Sequence, residues 1–229
     1  IHLRKKFKMS KTYCKEVAES IPSISYKKKP VYDFFKRFFD LTLGIIALLL
    51  IGWFMLIIAF LIKIQDNGPI FYISTRVTKN GRLFKMYKFR TMVVGADKML
   101  KPLNKNNETG GPTFKMKNDP RITKIGRFLR KTSIDELPQL LNIVNGSMSF
   151  VGPRPPLPIE VDQYTQNEFS RLLVKQGLTC IWQVSGRSLV SFQQQVEMDK
   201  KYIRKRNILL DFWLLLRTVP AVLFGRGAE

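Results

Sequence analysis

The sequence predicts an α/β domain carried on one membrane-inserted helix, and three observations lead there. An uncharged apolar run fills Leu41–Ile62. Two short strand patterns, Ile70–Ser74 and Arg82–Phe89, flank Lys79-Asn80-Gly81, a hairpin-type turn. Helical patterns follow over 134–145, 159–175 and 192–206, the last amphipathic.

The apolar run reads LTLGIIALLLIGWFMLIIAFLI and is long enough to cross a bilayer. It is apolar on every face, unlike a soluble core helix. It starts too far along the chain, and lacks the small-residue cleavage site, for a secretory signal peptide. Basic residues flank both ends: Lys27–Lys29, Lys36 and Arg37 before it, Lys63, Arg76, Lys79, Arg82, Lys85, Lys88 and Arg90 after it. Positive residues favour the cytoplasmic side, so two basic flanks predict a re-entrant hairpin bending near Gly52-Trp53. Three segments follow: a basic arm over 1–29, read as a solvated tail; a membrane-inserted helix over 30–66; and a cytosol-facing domain over 67–229. Asp66-Asn67-Gly68-Pro69 marks the turn out of the helix. The C-terminal stretch 208–226 carries Asp211 and Arg217 among large apolar residues. It suits an interfacial helix or a core helix equally well.

Charge narrows the chemistry. With 39 Lys+Arg against 17 Asp+Glu, the net charge is +22, which selects anionic partners. Nucleic acid is the weaker choice, because the basic residues carry no nucleic-acid motif. Adhesion to an anionic membrane leaflet accounts for the charge more simply. A membrane-tethered, polyanion-binding protein is the alternative to an enzyme. The two cysteines, Cys14 and Cys180, form no metal or redox pair, and His2 is the single histidine. Histidine-based triads and metal sites are thereby excluded, leaving carboxylates, Lys, Arg and Ser to do any chemistry.

The adjacent carboxylates Asp135 and Glu136 follow a basic cluster and begin a helical pattern, with Pro138 tolerated in its first turn. A helix start favours an ionised carboxylate and attracts phosphate. Ser133-Ile-Asp-Glu136 also matches a capping box, which this stretch by itself favours. Neighbouring clusters shift the balance. Asn118-Asp119-Pro120-Arg121 lies upstream, Gly152-Pro153-Arg154-Pro155-Pro156 downstream, and Trp182 to Arg187 beyond. Loop-held arginines beside two carboxylates and a membrane anchor fit phosphoryl transfer between a soluble and a lipid phosphate.

The motifs KRFFD (36–40), GPIFY (68–72), YKFRTM (87–92), DPRITKIGRFLRKTSIDELPQLLN (119–142), GSMSFVGPRPP (146–156) and WQVSGR (182–187) occur in order. Together they resemble the bacterial sugar transferase family, the monotopic phosphoglycosyl transferases, over roughly residues 30–226. The resemblance implies a re-entrant membrane helix, interfacial amphipathic helices and a small cytosolic α/β catalytic domain at the cytoplasmic membrane. It implies transfer of a hexose-1-phosphate, glucose or galactose, from a UDP-sugar to undecaprenyl phosphate, starting capsule, exopolysaccharide or O-antigen synthesis. Asp135 matches the nucleophile and Glu136 the Mg²⁺-holding partner. Arg130 and Arg154 match phosphate-gripping residues, and Arg187, Gln183, Lys88, Arg90, Asp119 and Arg121 fall in the same motifs. Larger members imply self-association into a homo-oligomer. They also carry extra membrane helices and a linker domain that residues 1–29 do not supply, so the chain reads as a short member or a fragment. An integral glycosyltransferase releasing UDP is the further alternative, disfavoured because no DxD metal motif occurs.

Overall fold

A computed structural model describes residues 13, 16–17, 19, 27–99, 116, 119–186 and 190–223. The fold mixes helix and sheet, as the sequence predicts, but in two small sheets, of which only the hairpin was expected. Helix α1 (Pro30–Asp66) leads into β1 (Phe71–Val77) and β2 (Leu83–Phe89), an antiparallel pair. Then come α2 (Lys124–Lys131), α3 (Gln139–Val144) and β3 (Ser149–Val151). The short helices α4 (Pro158–Val161) and α5 (Gln166–Phe169) precede β4 (Gly177–Thr179), which pairs parallel with β3. Helices α6 (Ile181–Ser185), α7 (Phe192–Lys205) and α8 (Ile208–Leu223) complete the chain.

Helix α1 is unbroken over 37 residues, so the bend expected near Gly52-Trp53 is not seen: glycine without proline leaves the helical hydrogen bonds in place. The helix is about 55 Å long if straight. Pro30 sits in its first turn and Asn67, in the left-handed conformation, ends it. One stripe faces the body. Ala47, Leu48 and Ile51 pack with Met86, Leu140, Ile143 and Met148, while Phe54, Met55, Ile58, Ala59 and Ile62 pack with Phe89 and Leu129. The opposite stripe, including Leu49, Leu50, Trp53, Leu56 and Phe60, is exposed. Only 17% of its most apolar window is buried, so this is not an ordinary soluble core helix.

Both ends of α1 are tied to the same body. Near the start, Lys36 Nζ reaches Asp211 at 2.7 Å, and Asp40 accepts from Ser149 Oγ and Phe150 N, each at 3.0 Å. At the far end, Asp66 pairs with both terminal nitrogens of Arg90. The charge Asp211 on α8 therefore faces inward, on Lys36, Tyr32 and Tyr202. Leu209, Phe212, Trp213, Leu216 and Val219 of the same helix stay exposed.

Three local expectations change. Strand β1 runs to Val77, three residues beyond the predicted end, because Thr75, Arg76 and Val77 pair with Lys85, Phe84 and Leu83 of β2; the Val77 N–H also bonds Pro156 O at 3.0 Å. The long helix expected over 159–175 is instead α4, α5 and the 3₁₀ turn Ser170–Leu173. Thr165 and Glu168 form a capping box that starts a new helix, and the consecutive buried Leu172, Leu173 and Val174 leave no single helical face. Finally, Val17 of the N-terminal segment is buried against Val77, Val161 and Leu172, so this part of the predicted solvated tail packs on the body.

Candidate active site

The site is assembled where β2 meets the segment between α2 and α3. Gly126 lets α2 come close to the end of β2: a Cβ there would lie 2.0 Å from the Thr91 carbonyl oxygen. That approach allows Arg130 Nε to donate to Thr91 Oγ1 at 2.9 Å. The chain then reverses at Ser133, which takes φ 57°, and forms the 3₁₀ turn Ile134–Glu136. Ile134 and Leu137 pack towards Phe89 and Leu129. On α3, the buried Asn142 bonds the outer edge of β2, giving Nδ2 to Lys85 O at 2.7 Å and accepting Tyr87 N–H at 3.0 Å. These contacts fix the 134–144 segment against the strand that carries Lys88.

Lys88 joins the two carboxylates. Its Nζ lies 2.6 Å from Glu136 Oε1 and 3.6 Å from Asp135 Oδ2. The Asp135 side chain keeps 11% of its exposure, against 33% for Glu136, so Asp135 is the withdrawn member of the pair. Burial raises the Asp135 pKa; Lys88 and Arg130 oppose that, and Glu136 adds to it. The helix start does not leave this carboxyl unusually acidic. The capping box is absent here, since Ser133 is left-handed and its side chain makes no cap hydrogen bond.

The remaining expected site residues separate into groups. Burial lowers the Arg130 pKa, and the charges of Asp135 and Asp119 oppose that. Asp119 and Arg121 are buried together in a two-pronged ion pair, in which hydrogen bonding from Arg121 holds Asp119 below the ordinary aspartate value. Arg90 is committed to Asp66, clamping the end of α1 rather than reaching the carboxylate pair. Arg154 sits in the loop after β3, half-buried, without a hydrogen bond or ion pair among the described residues. Gln183 lies on α6 and accepts from Cys180 Sγ at 3.0 Å; nothing among the described residues links it to Asp135. Arg187 lies outside the described residues.

Sequence reading missed Arg76 and Asn142. In the sequence Arg76 is only one of the basic flank residues, since the strand pattern ends at Ser74. In the structure its Nη1 donates to Pro155 O at 3.1 Å, beside Arg154. Asn142 gave no signal, since a polar residue inside an apolar helical run does not reveal that it pairs a strand edge.

The arrangement offers a withdrawn carboxylate, a second carboxylate more open to solvent, and several cations, which suits handling of phosphate esters. The sequence profile of the bacterial sugar transferase family matches residues 31–225. The chain is 45% identical over 195 residues to the galactosyl transferase CpsE of Streptococcus agalactiae, covering 85% of this chain and 43% of that protein. It is 40% identical over 212 residues to the exopolysaccharide production protein ExoY of Sinorhizobium fredii, covering 91% and 94%. It is 41% identical over 199 residues to the undecaprenyl-phosphate galactose phosphotransferase of Salmonella typhimurium, covering 85% and 42%. The chain thus spans under half the length of the first and third of these relatives and nearly all of ExoY. A profile match along most of its length shows that the chain belongs to the bacterial sugar transferase family.

Proposed function

We propose that this chain transfers a hexose-1-phosphate from a UDP-sugar to undecaprenyl phosphate, with Asp135 as the covalent nucleophile. The observation that carries the reading is the withdrawn Asp135 carboxylate, 3.6 Å from Lys88 and within the field of Arg130. An Asp135 oxygen bonds to the β-phosphorus of the UDP-sugar, and the bond from that phosphorus to the bridging oxygen breaks, releasing UMP. The lipid phosphate then attacks the sugar-phosphoryl aspartate, forming the lipid diphosphate sugar and freeing Asp135. Covalent catalysis of this kind divides one difficult transfer into two easier ones. Lys88 favours the ionised, attacking form of Asp135 and holds Glu136 beside it. The relatives' names support galactose as the sugar, and the name of the Salmonella protein supports undecaprenyl phosphate as the acceptor.

Mg²⁺ fits this donor set. Among the described residues no three His, Cys, Asp or Glu side chains converge, but Mg²⁺ commonly takes one or two carboxylates and completes its shell with substrate phosphates and water. Glu136, the more exposed of the two carboxylates, would hold it. When bound, the ion would offset negative charge on the diphosphate.

The protein sits at the cytoplasmic membrane with its catalytic body on the cytoplasmic face. The exposed stripes of α1 and α8 enter the lipid, and α1 lies along the body at the membrane face rather than spanning the bilayer. Contacts of both Lys36 and Asp66 with one body support this, since a straight span would separate the two ends by about 30 Å of hydrocarbon. Labelling of the N-terminus from outside intact cells would refute the topology.

The chemical test is UMP release by membrane fractions given UDP-galactose, undecaprenyl phosphate and Mg²⁺. Asp135→Asn is expected to abolish release, and full activity in that variant removes the covalent mechanism. Glu136→Gln is expected to shift the Mg²⁺ titration to higher concentration; an unchanged titration removes the metal role of Glu136.

A further inference from the structure

We propose that Arg76 on β1 and Arg154 in the loop after β3 form a phosphate-binding subsite beside the Asp135–Glu136 pair. This subsite deepens the transfer reading above and rests on it for its substrates.

In the β1–β2 register Tyr72 lies opposite Lys88, and Arg76 lies two alternations further along β1 on the same face. The face that brings Lys88 to the carboxylates therefore also carries Arg76. At the other end, Val77 N–H donates to Pro156 O and Arg76 Nη1 donates to Pro155 O at 3.1 Å. Arg76 and Val77 are thus fastened to the two residues that immediately follow Arg154. The rigid Pro155-Pro156 pair holds the spacing between the two arginines.

Arg90 has Asp66, Arg121 has Asp119 and Arg171 has Asp199, each as a close ion pair. Arg76 and Arg154 have no ion pair among the described residues, and Nε of Arg76 is buried without a hydrogen-bond partner. Burial first, and then the neighbouring charge of Arg154, pull the Arg76 pKa down to about 10, while Glu160, Tyr72 and Glu136 oppose this. Two adjacent guanidinium groups that repel each other, one with an unused buried donor, want an anion between them. A phosphate offers several oxygens in the geometry that guanidinium forks grip. With Lys88 and Arg130 serving Asp135, this second pair of cations would hold a phosphate other than the one under attack.

That phosphate comes either from the leaving nucleotide or from the lipid acceptor, and steady-state kinetics on the full chain in detergent micelles separates the two. Arg76→Gln is expected to raise KM for one phosphorylated substrate by about tenfold, the loss of one charged hydrogen bond, with Arg76→Lys recovering part of it. A higher KM for UDP-sugar with weaker inhibition by UMP assigns the nucleotide. A higher KM for undecaprenyl phosphate, with acceptor-free UMP release unchanged, assigns the lipid. Unchanged KM for both substrates overturns the subsite. Should Arg76→Gln fail to fold, Arg76→Lys and Arg154→Gln take its place, and unchanged KM values in both overturn it equally. If the unaltered protein releases no UMP from any UDP-sugar, the transfer reading falls. Calorimetric titration with pyrophosphate then decides the subsite alone: binding that weakens about tenfold in Arg76→Lys sustains it, and equal binding overturns it.

Discussion

Replacement of Asn142 by Ala tests how the active segment is held. Asn142 is 1% exposed and contributes no charge. It supplies one donor and one acceptor to the free edge of β2, to Lys85 O at 2.7 Å and from Tyr87 N at 3.0 Å. Alanine leaves both main-chain groups unpaired in a buried place. At about 2 kcal/mol for each stranded group, the loss is about 4 kcal/mol. For a chain of this size, that corresponds to a fall of about 8–16 °C in Tm. Asn142→Asp is no remedy, because a carboxylate can accept from Tyr87 but only repels the Lys85 carbonyl oxygen. The assay is thermal unfolding of detergent-solubilised protein, followed by UMP release at a temperature where both variants remain folded. UMP release should fall as well, since Lys88 is adjacent to Tyr87 and would no longer be held against the 134–144 segment. A Tm within about 2 °C of the unaltered protein in Asn142→Ala would refute this account of the strand edge.

Four further outcomes follow from the same geometry. The Asp135 carboxyl must be ionised to attack, and burial raises its pKa, so UMP release should decline as pH falls through that raised value. Lys88 opposes the rise; Lys88→Met should therefore move the acid limb of the pH–rate profile to higher pH, and a uniform loss with no movement of the limb contradicts its electrostatic role. The stability sign runs the other way. A carboxyl whose pKa is raised on folding destabilises the native state as pH rises from the ordinary aspartate value through the raised one. Asp135→Asn should accordingly melt above the unaltered protein at neutral pH, with the gap closing in acid. Gly126→Ala would place a Cβ 2.0 Å from the Thr91 carbonyl oxygen. Forcing α2 away costs about 1–3 kcal/mol and pulls Arg130 from Thr91, so both Tm and UMP release should fall; an unchanged Arg130-dependent activity would show that the close approach is dispensable.

The apolar helix, the hairpin around Asn80 and the carboxylate pair were legible in the sequence because each is a local pattern. An uncharged run of apolar residues, a Lys-Asn-Gly turn and an acidic dipeptide after a basic cluster keep their meaning without knowledge of distant residues. The docking of the β1 end was not legible, because Val77 N–H bonds Pro156 O and Arg76 bonds Pro155 O, both far along the chain. The division of the arginines was equally hidden. Arg90, Arg121 and Arg130 look alike in a string of letters, yet the first clamps Asp66, the second is buried on Asp119, and only the third stands beside Asp135.

By itself the sequence determined which groups could do chemistry: two carboxylates, many cations, one distant histidine and a membrane-seeking helix. Tertiary structure alone decided which cations meet which anions. Ion pairing and burial depend on three-dimensional distance and on how much water a site retains, and neither is set by separation along the chain. Lys88 reaches Asp135 and Glu136 because α3 is fastened to the edge of β2, and Arg76 lies beside Arg154 because β1 ends against a proline pair.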